Sequence, residues 1–360
     1  MITYPVSMVP GPVKVPEEVL KVYETNYGSA DLESEFLDLY NRTEEALKKV
    51  LGTANPVVIQ TGEGMLALWS ALKSCLVPGD RVLAVATGVF GYGIGEMAKS
   101  AGAEVRTVGL EYDRTIGELG EIEKAIAEFK PKMITAVHCE TPSGTLNPLA
   151  GLGKLKKKYG VPLLYADVVA SAGGAPVLAD EWQIDLALGG SQKCLSAPPC
   201  MSFLSVSPAA WDIIEKVGYA GYDALSPFRT AQKIFYFPYT PYWHGMAALH
   251  AAAMLLLREG LENSYARHEK VAQYCRSRLT DMELSLFPAR DAVHSPTVTA
   301  VNVPKHFTYA ELDSRLRQKG MAVAGSYGPL AGRVFRLGHM GTQADMELMK
   351  QALDILAEVL

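Results

Sequence analysis

Seven apolar, β-rich runs separated by helix-period segments constrain this chain more than any other feature. The runs are Val57–Gln60, Arg81–Ala86, Glu104–Gly109, Met133–His138, Pro162–Asp167, Leu186–Gly189 and Met201–Ser207. Between most of them lie segments of helical spacing with acceptable caps: Gly64–Cys75, Gly91–Ala101, Leu119–Phe129 and Leu149–Tyr159. Strands that alternate with helices imply a mostly parallel sheet covered on both faces, with right-handed crossovers. The runs are continuously apolar rather than alternating, as buried parallel strands are. The fold class is therefore α/β, a large domain on a seven-stranded, mostly parallel sheet.

After Pro241 the rhythm changes. Long helical patterns cover Met246–Glu259 and Leu261–Leu279, then short strands follow at Val298–Val303, Ala322–Ser326 and Val334–Gly338. Helices at Tyr309–Lys319 and Gln343–Val359 complete a small α+β C-terminal domain. The expected division is an N-terminal arm at 1–14, a large domain at 15–245 and a small domain at 246–360. Pro10-Gly-Pro12 favours an extended path for the arm.

Composition narrows the function classes. The net charge of -5 offers no basic field for nucleic acid. The lysines at 154, 156, 157 and 158 precede Gly160, where a helix C-terminus favours cations, and are expected to face solvent. Five scattered cysteines without CxxC spacing argue for a reducing compartment and against a disulfide framework or zinc site. The N-terminus lacks the basic region and long apolar segment of a signal peptide, and the apolar run near Met246–Leu257 is too short for a bilayer. A cytoplasmic address without membrane contact is the expectation.

The chemistry-bearing stretch is Leu188-Gly-Gly-Ser-Gln-Lys193, which puts one lysine on a turn directly after an apolar strand. A desolvated lysine is a nucleophile toward carbonyls and forms Schiff bases. Asp167 ends the preceding strand, and Gly62-Glu-Gly64 opens a helix after an earlier one. Cup, acid and amine in that order match the three needs of pyridoxal phosphate: an anion site, a partner for the pyridine nitrogen and a Schiff-base lysine. Taken alone, the Gly62 turn is either a plain strand-to-helix turn or a backbone anion cup. No Gly-Lys-Ser/Thr follows it, so a nucleotide P-loop does not fit. Neither Gly62–Ala67 nor Gly91–Gly95 meets the spacing of a dinucleotide fingerprint together with its acidic residue. The Gly62 turn, His138–Gly144, Asp167 and Lys193 all follow strand ends, so they can meet in one crevice at the sheet's carboxyl edge.

In these motifs the chain resembles the class V, fold-type I pyridoxal-phosphate aminotransferases of the alanine–glyoxylate and serine–pyruvate group. The resemblance rests on Gly11-Pro12, Gly62-Glu-Gly64, Thr87–Gly91, His138-Cys-Glu-Thr-Pro-Ser-Gly144, Asp167–Gly174, Ser191-Gln-Lys193, Ala197–Pro199, Thr240-Pro241 and Arg336–Gly341. It implies that Lys193 holds the cofactor as an internal aldimine and then carries the α-proton. It implies that Asp167 keeps the pyridine nitrogen protonated, with Phe90 and Val169 on the two ring faces and Thr141 near the ring oxygen or its Asp partner. Gln192 and the N–H groups of Glu63, Gly64 and Met65 would bind the phosphate. Thr240 would reach the phosphate of a neighbouring subunit, which implies a homodimer with shared active sites. Arg336 would clamp the substrate carboxylate, and Gly11 would lie beside the substrate. The substrates implied are a small amino acid and a 2-oxo acid, exchanged in a ping-pong reaction.

The chain departs from that pattern in three places. Phe237 stands where a phosphate-binding tyrosine is expected, and Tyr239 is the candidate substitute. Glu63 puts a carboxylate inside the cup, and two unit charges about 4 Å apart repel by roughly 4 kcal/mol at an effective dielectric near 20. The expectation is that its side chain turns away and only its N–H serves the phosphate. Glu63, Phe237–Pro241 and Ser295-Pro-Thr297 are similar to pyridoxamine–pyruvate transaminase, which treats free pyridoxal as substrate, but Tyr327 replaces a second arginine expected there. A cysteine desulfurase fits less well, because no cysteine lies in a glycine-rich loop of the small domain. A non-catalytic cofactor-fold protein would have no need for Lys193, Asp167 and Arg336 together.

Overall fold

The computed structural model describes residues 4–360 and builds the seven runs into one sheet. In chain order its strands are β1 (Val57–Thr61), β2 (Arg81–Ala86), β3 (Glu104–Gly109), β4 (Met133–Val137), β5 (Leu163–Asp167), β6 (Leu186–Gly190) and β7 (Met201–Val206). They lie side by side as β1-β7-β6-β5-β4-β2-β3. β7 runs antiparallel to both neighbours, and every other pairing is parallel. β4 to β7 are buried along their whole length, as their apolar sequences require. β3 departs from that expectation. It is an edge strand with one neighbour, and Glu104, Thr107 and Gly109 are exposed.

The longest helix of the first half, α1 (Ser34–Leu51), escapes the strand-and-helix reading of the sequence. It begins at Glu33 without a side-chain cap, so the usual start signal is missing. Its apolar stripe of Phe36, Leu39, Tyr40, Leu47 and Val50 is nonetheless fully committed to the large core. Two further helices follow, α2 (Gly64–Cys75) and α3 (Val89–Ser100), each opening at the carboxyl end of a strand. Of the four lysines expected in solvent, Lys156 instead turns in to Asp185 at 2.6 Å. That buried carboxylate also accepts from Leu164 N–H and Ser207 Oγ, so it draws a cation to itself.

Helix α4 (Trp243–Glu259) gives Met246, Leu249, Ala253 and Leu256 to the large core. We therefore draw the proposed domain boundary after α4 rather than at 245/246. A second apolar cluster includes Val271, Cys275, Leu312, Phe335 and Leu353. Its antiparallel sheet has the order β8-β10-β9, from β8 (Val298–Asn302), β9 (Ala324–Gly325) and β10 (Val334–Gly338). The strand expected over Ala322–Ser326 is split, because Met321–Ala322 pairs in parallel with Val6–Ser7 of the N-terminal segment. That segment is also bonded on either side of Met8, by Met8 N–H to Ala322 O and by Gly338 N–H to Met8 O. No helix among the described residues is long and apolar enough to cross a membrane.

Phe36 meets Phe237, Trp243 and Tyr40 ring to ring and is completely buried. Phe36→Ala should lower stability by about 3–5 kcal/mol, read as a clear fall in the thermal or urea midpoint.

Candidate active site

Parallel strands bring their carboxyl ends to one edge, and the loops leaving β1, β2, β4, β5 and β6 meet there. They line a cavity of about 150 Å³, roughly the room one aromatic ring occupies. From the β1 exit come Glu63, Gly64 and Met65, and from the start of α3 comes Phe90. The β4 exit supplies Thr141, the β5 end supplies Asp167 and Val169, and the β6 exit supplies Gln192 and Lys193. Nine residues singled out from the sequence thus line one cavity, together with Leu68, Cys139 and Ala170, which were not. Helix α2 opens at the cavity wall, and the first N–H groups of a helix have no intrahelical acceptor.

Lys193 rests its Nζ on the Pro10 carbonyl at 2.5 Å, so the N-terminal segment closes the site. Burial, and then the nearby Arg336, hold this amine below its usual pKa. That favours the neutral, nucleophilic form. Asp167 is buried and its pKa is pushed up to about 6, chiefly by desolvation. The Val169 N–H, which donates to Oδ1 at 2.8 Å, and the positive Lys193 pull it partly back. Such a carboxylate favours a cation placed beside it.

Arg336 lies on β10 and is only 2% exposed. Its Nε donates to Gly325 O at 2.8 Å, and the Tyr327 ring lies 4.6 Å from its guanidinium carbon. No acidic side chain among the described residues pairs with it, although eighteen ion pairs form elsewhere. Buried charges are normally paired, so this fork is open to an anion from outside. Gly11 sits at φ +82°, and a Cβ there would come within 2.6 Å of Lys193 Cδ.

The cup differs from the sequence expectation. The Glu63 carboxylate does not turn away; its Oε2 accepts the Gln192 amide at 2.8 Å. Gln192 Oε1 is buried without a partner. The Glu63 carboxylate thus points inward, onto the Gln192 amide. The Tyr239 hydroxyl accepts the Thr61 N–H at 3.1 Å and its ring stacks on Tyr222, and the hydroxyl keeps its own proton to donate. Phe237 is buried among Phe36, Tyr40 and Phe228. Thr240 is exposed and lies outside the cavity of its own chain.

The family model described as aminotransferase class-V matches residues 9–335. The chain belongs to the class V aminotransferases. It is 32% identical over 360 residues to alanine–glyoxylate aminotransferase of Oryctolagus cuniculus, covering 98% of this chain and 91% of that protein. It is 30% identical over 344 residues to pyridoxamine–pyruvate transaminase of Mesorhizobium japonicum, covering 94% and 87%. The solved alanine–glyoxylate aminotransferase from Nostoc sp. superposes with a TM-score of 0.94 at 30% identity, covering all of this chain and 96% of that one. This aminotransferase has the fold-type I architecture and depends, like its class, on pyridoxal phosphate. The cavity fits that group at its ring end: one ring's volume, a depressed amine and a carboxylate lacking a full countercharge.

Three features of the site were not legible from motifs: the Pro10 carbonyl on Lys193, the inward Glu63, and Glu140 beneath Phe90. Pro10-Gly-Pro12 was a usable signal for the first, since a kinked arm must end against something. Gly11→Ala should destabilise the aminotransferase by about 1–3 kcal/mol through left-handed strain and overlap with Lys193, read as a lowered thermal midpoint.

Proposed function

We propose that this aminotransferase moves nitrogen between a small 2-amino acid, of the alanine or serine type, and a 2-oxo acid such as pyruvate or glyoxylate. The observation that carries the reading is Arg336, a buried guanidinium without a carboxylate of its own, close enough to Lys193 to depress its pKa. A planar fork suits an α-carboxylate bidentately and stays charged at any working pH. With one such fork, amino donor and oxo acceptor must use the same place in turn, which is ping-pong order. The names of the rabbit and Nostoc relatives support alanine and glyoxylate as the substrate class.

When bound, pyridoxal phosphate supplies an electron sink for negative charge at the substrate α-carbon. Lys193 Nζ holds the cofactor and, once released, takes the proton from the α-carbon and returns it. Asp167 keeps a proton on the ring nitrogen, because a buried carboxylate favours a neighbouring cation. Phe90 and Val169 pack on the two ring faces, and Thr141 lies by the ring oxygen or Asp167. Gln192 and the N–H groups of Glu63, Gly64 and Met65 hold the phosphate. Gly11 leaves room for Lys193 and substrate.

Thr240 completes a neighbouring subunit's phosphate site in a homodimer with shared active sites. Its exposure supports this, as do the exposed Tyr222, Ile234 and Tyr236 nearby in sequence. Five free thiols support a cytoplasmic address.

One observation favours a second reading, the pyridoxamine–pyruvate reaction: the Glu63 carboxylate occupies the Gln192 amide that a phosphate would need. Comparing the affinity for pyridoxal phosphate with that for free pyridoxal separates the two. The aminotransferase reading expects the parent to prefer the phosphate form and Glu63→Ser to strengthen that preference. A parent that prefers free pyridoxal, with serine reversing the order, overturns it.

A screen of amino donors against pyruvate and glyoxylate tests the substrate class. In that screen Arg336→Lys should raise KM for amino acid and oxo acid alike by at least about tenfold, since charge is kept but the bidentate fork is lost. Unchanged KM values would remove Arg336 from the carboxylate site.

A further inference from the structure

Glu140 follows β4, is completely buried, and has no lysine or arginine partner among the described residues. Its Oε1 accepts the Gly91 N–H at 2.6 Å and its Oε2 accepts the Phe90 N–H at 3.1 Å. These are first-turn donors of α3, whose N-cap, Gly88, has no side chain to satisfy them. The neighbouring glycines are cleared for this carboxylate. A Cβ on Gly88 would come within 2.7 Å of Glu140 Cδ, and one on Gly91 within 3.2 Å of Oε1.

A serine at position 88 would cap the helix without burying a charge. Burial instead pushes the Glu140 carboxyl up to about 7, against the pull of the two N–H donors. The arrangement does something a local cap cannot. Cys139 and Thr141, on either side of Glu140, line the cavity, as does Phe90 on the opposite element. The Glu140 carbonyl also accepts from Gly144 and Ser143, which fixes the loop that carries Thr141. One side chain thus locks the β4 exit to the start of α3, with Phe90 between its two hydrogen bonds.

We infer that Glu140 is a positioning residue for transamination, setting the Phe90 ring against the cofactor ring through the backbone of α3. This rests on the reading that Phe90 flanks that ring.

The test is a double-mutant cycle on the holoenzyme with Glu140→Gln and Phe90→Ala. The glutamine keeps the shape but offers one acceptor to two donors. Glu140→Gln should lower kcat by about a hundredfold with little change in substrate KM, the scale of a 1 Å misplacement. The visible circular dichroism of the bound cofactor should change in sign or amplitude at unchanged cofactor stoichiometry. In the Phe90→Ala background the same change should cost about threefold or less, because the side chain it positions is gone. Losses that multiply across the cycle, or an unaltered dichroism with a lowered thermal midpoint, would assign Glu140 to fold stability alone. If Glu140→Gln does not accumulate folded, Glu140→Asp, too short to reach both N–H groups, runs through the same cycle with the same criteria. A parent inactive with every donor would overturn the reading of the site and this role with it. An active parent with multiplicative losses would overturn the role alone.

Discussion

Lys193 and Arg336 lie within electrostatic reach of each other, and no carboxylate among the described residues forms an ion pair with either. Holding them there requires backbone oxygens, which three separate parts of the chain supply or support. Pro10 gives its carbonyl to Lys193, and Gly325 gives its carbonyl to Arg336. The N-terminal segment is itself held on both sides: Val13 N–H donates to Gln192 O, and Gln343 Nε2 donates to Val9 O. The segment therefore joins the large sheet's edge to the small sheet. An incoming carboxylate would give Arg336 a counter-charge and ease the influence that holds the Lys193 amine below its usual pKa.

That dependence explains which parts of the molecule could be read in advance. Buried parallel strands must be apolar along their length, so β2 matches its sequence run from Arg81 to Ala86, and α2 matches from Gly64 to Cys75. Where burial is partial the signal fades. β3 sits at the sheet edge, and its sequence carries no mark of having one neighbour. α1 lacks a cap, and Glu44, Glu45, Lys48 and Lys49 interrupt the eye's view of its stripe. The split of 321–325 between two sheets depends on Val6–Ser7, more than three hundred residues earlier in the chain.

The site follows the same rule. Gly64, Thr141, Gln192 and Lys193 each sit just past a strand end and Asp167 is the last residue of its strand, so placing the strands places the residues. Contacts between different loops were out of reach, because they depend on side-chain direction rather than on position along a strand. Glu140 belongs to that class: nothing in His138–Gly144 says that its third residue would reach across to the N–H groups of another helix. Tyr239 shows the same limit: its position along the chain was legible, but that its hydroxyl accepts the Thr61 N–H was not.

Glu63 shows why the distinction matters for chemistry. Its carboxylate and the Gln192 amide form a charge-assisted hydrogen bond, worth about 1.5–3 kcal/mol. Leaving both in place beside a phosphate would cost roughly 4 kcal/mol in repulsion per unit charge at 4 Å and a dielectric near 20. The repulsion exceeds the bond, so on the proposed reading a phosphate in the cup would displace the carboxylate. Glu63 is only partly buried, which leaves the side chain a path toward solvent. The freed Gln192 amide and the N–H groups at the start of α2 would then face the phosphate together. An uncharged 5′-hydroxyl exerts no such force, and with it Glu63 would stay on the amide. On the proposed reading, the ligand's charge would decide where the Glu63 side chain lies.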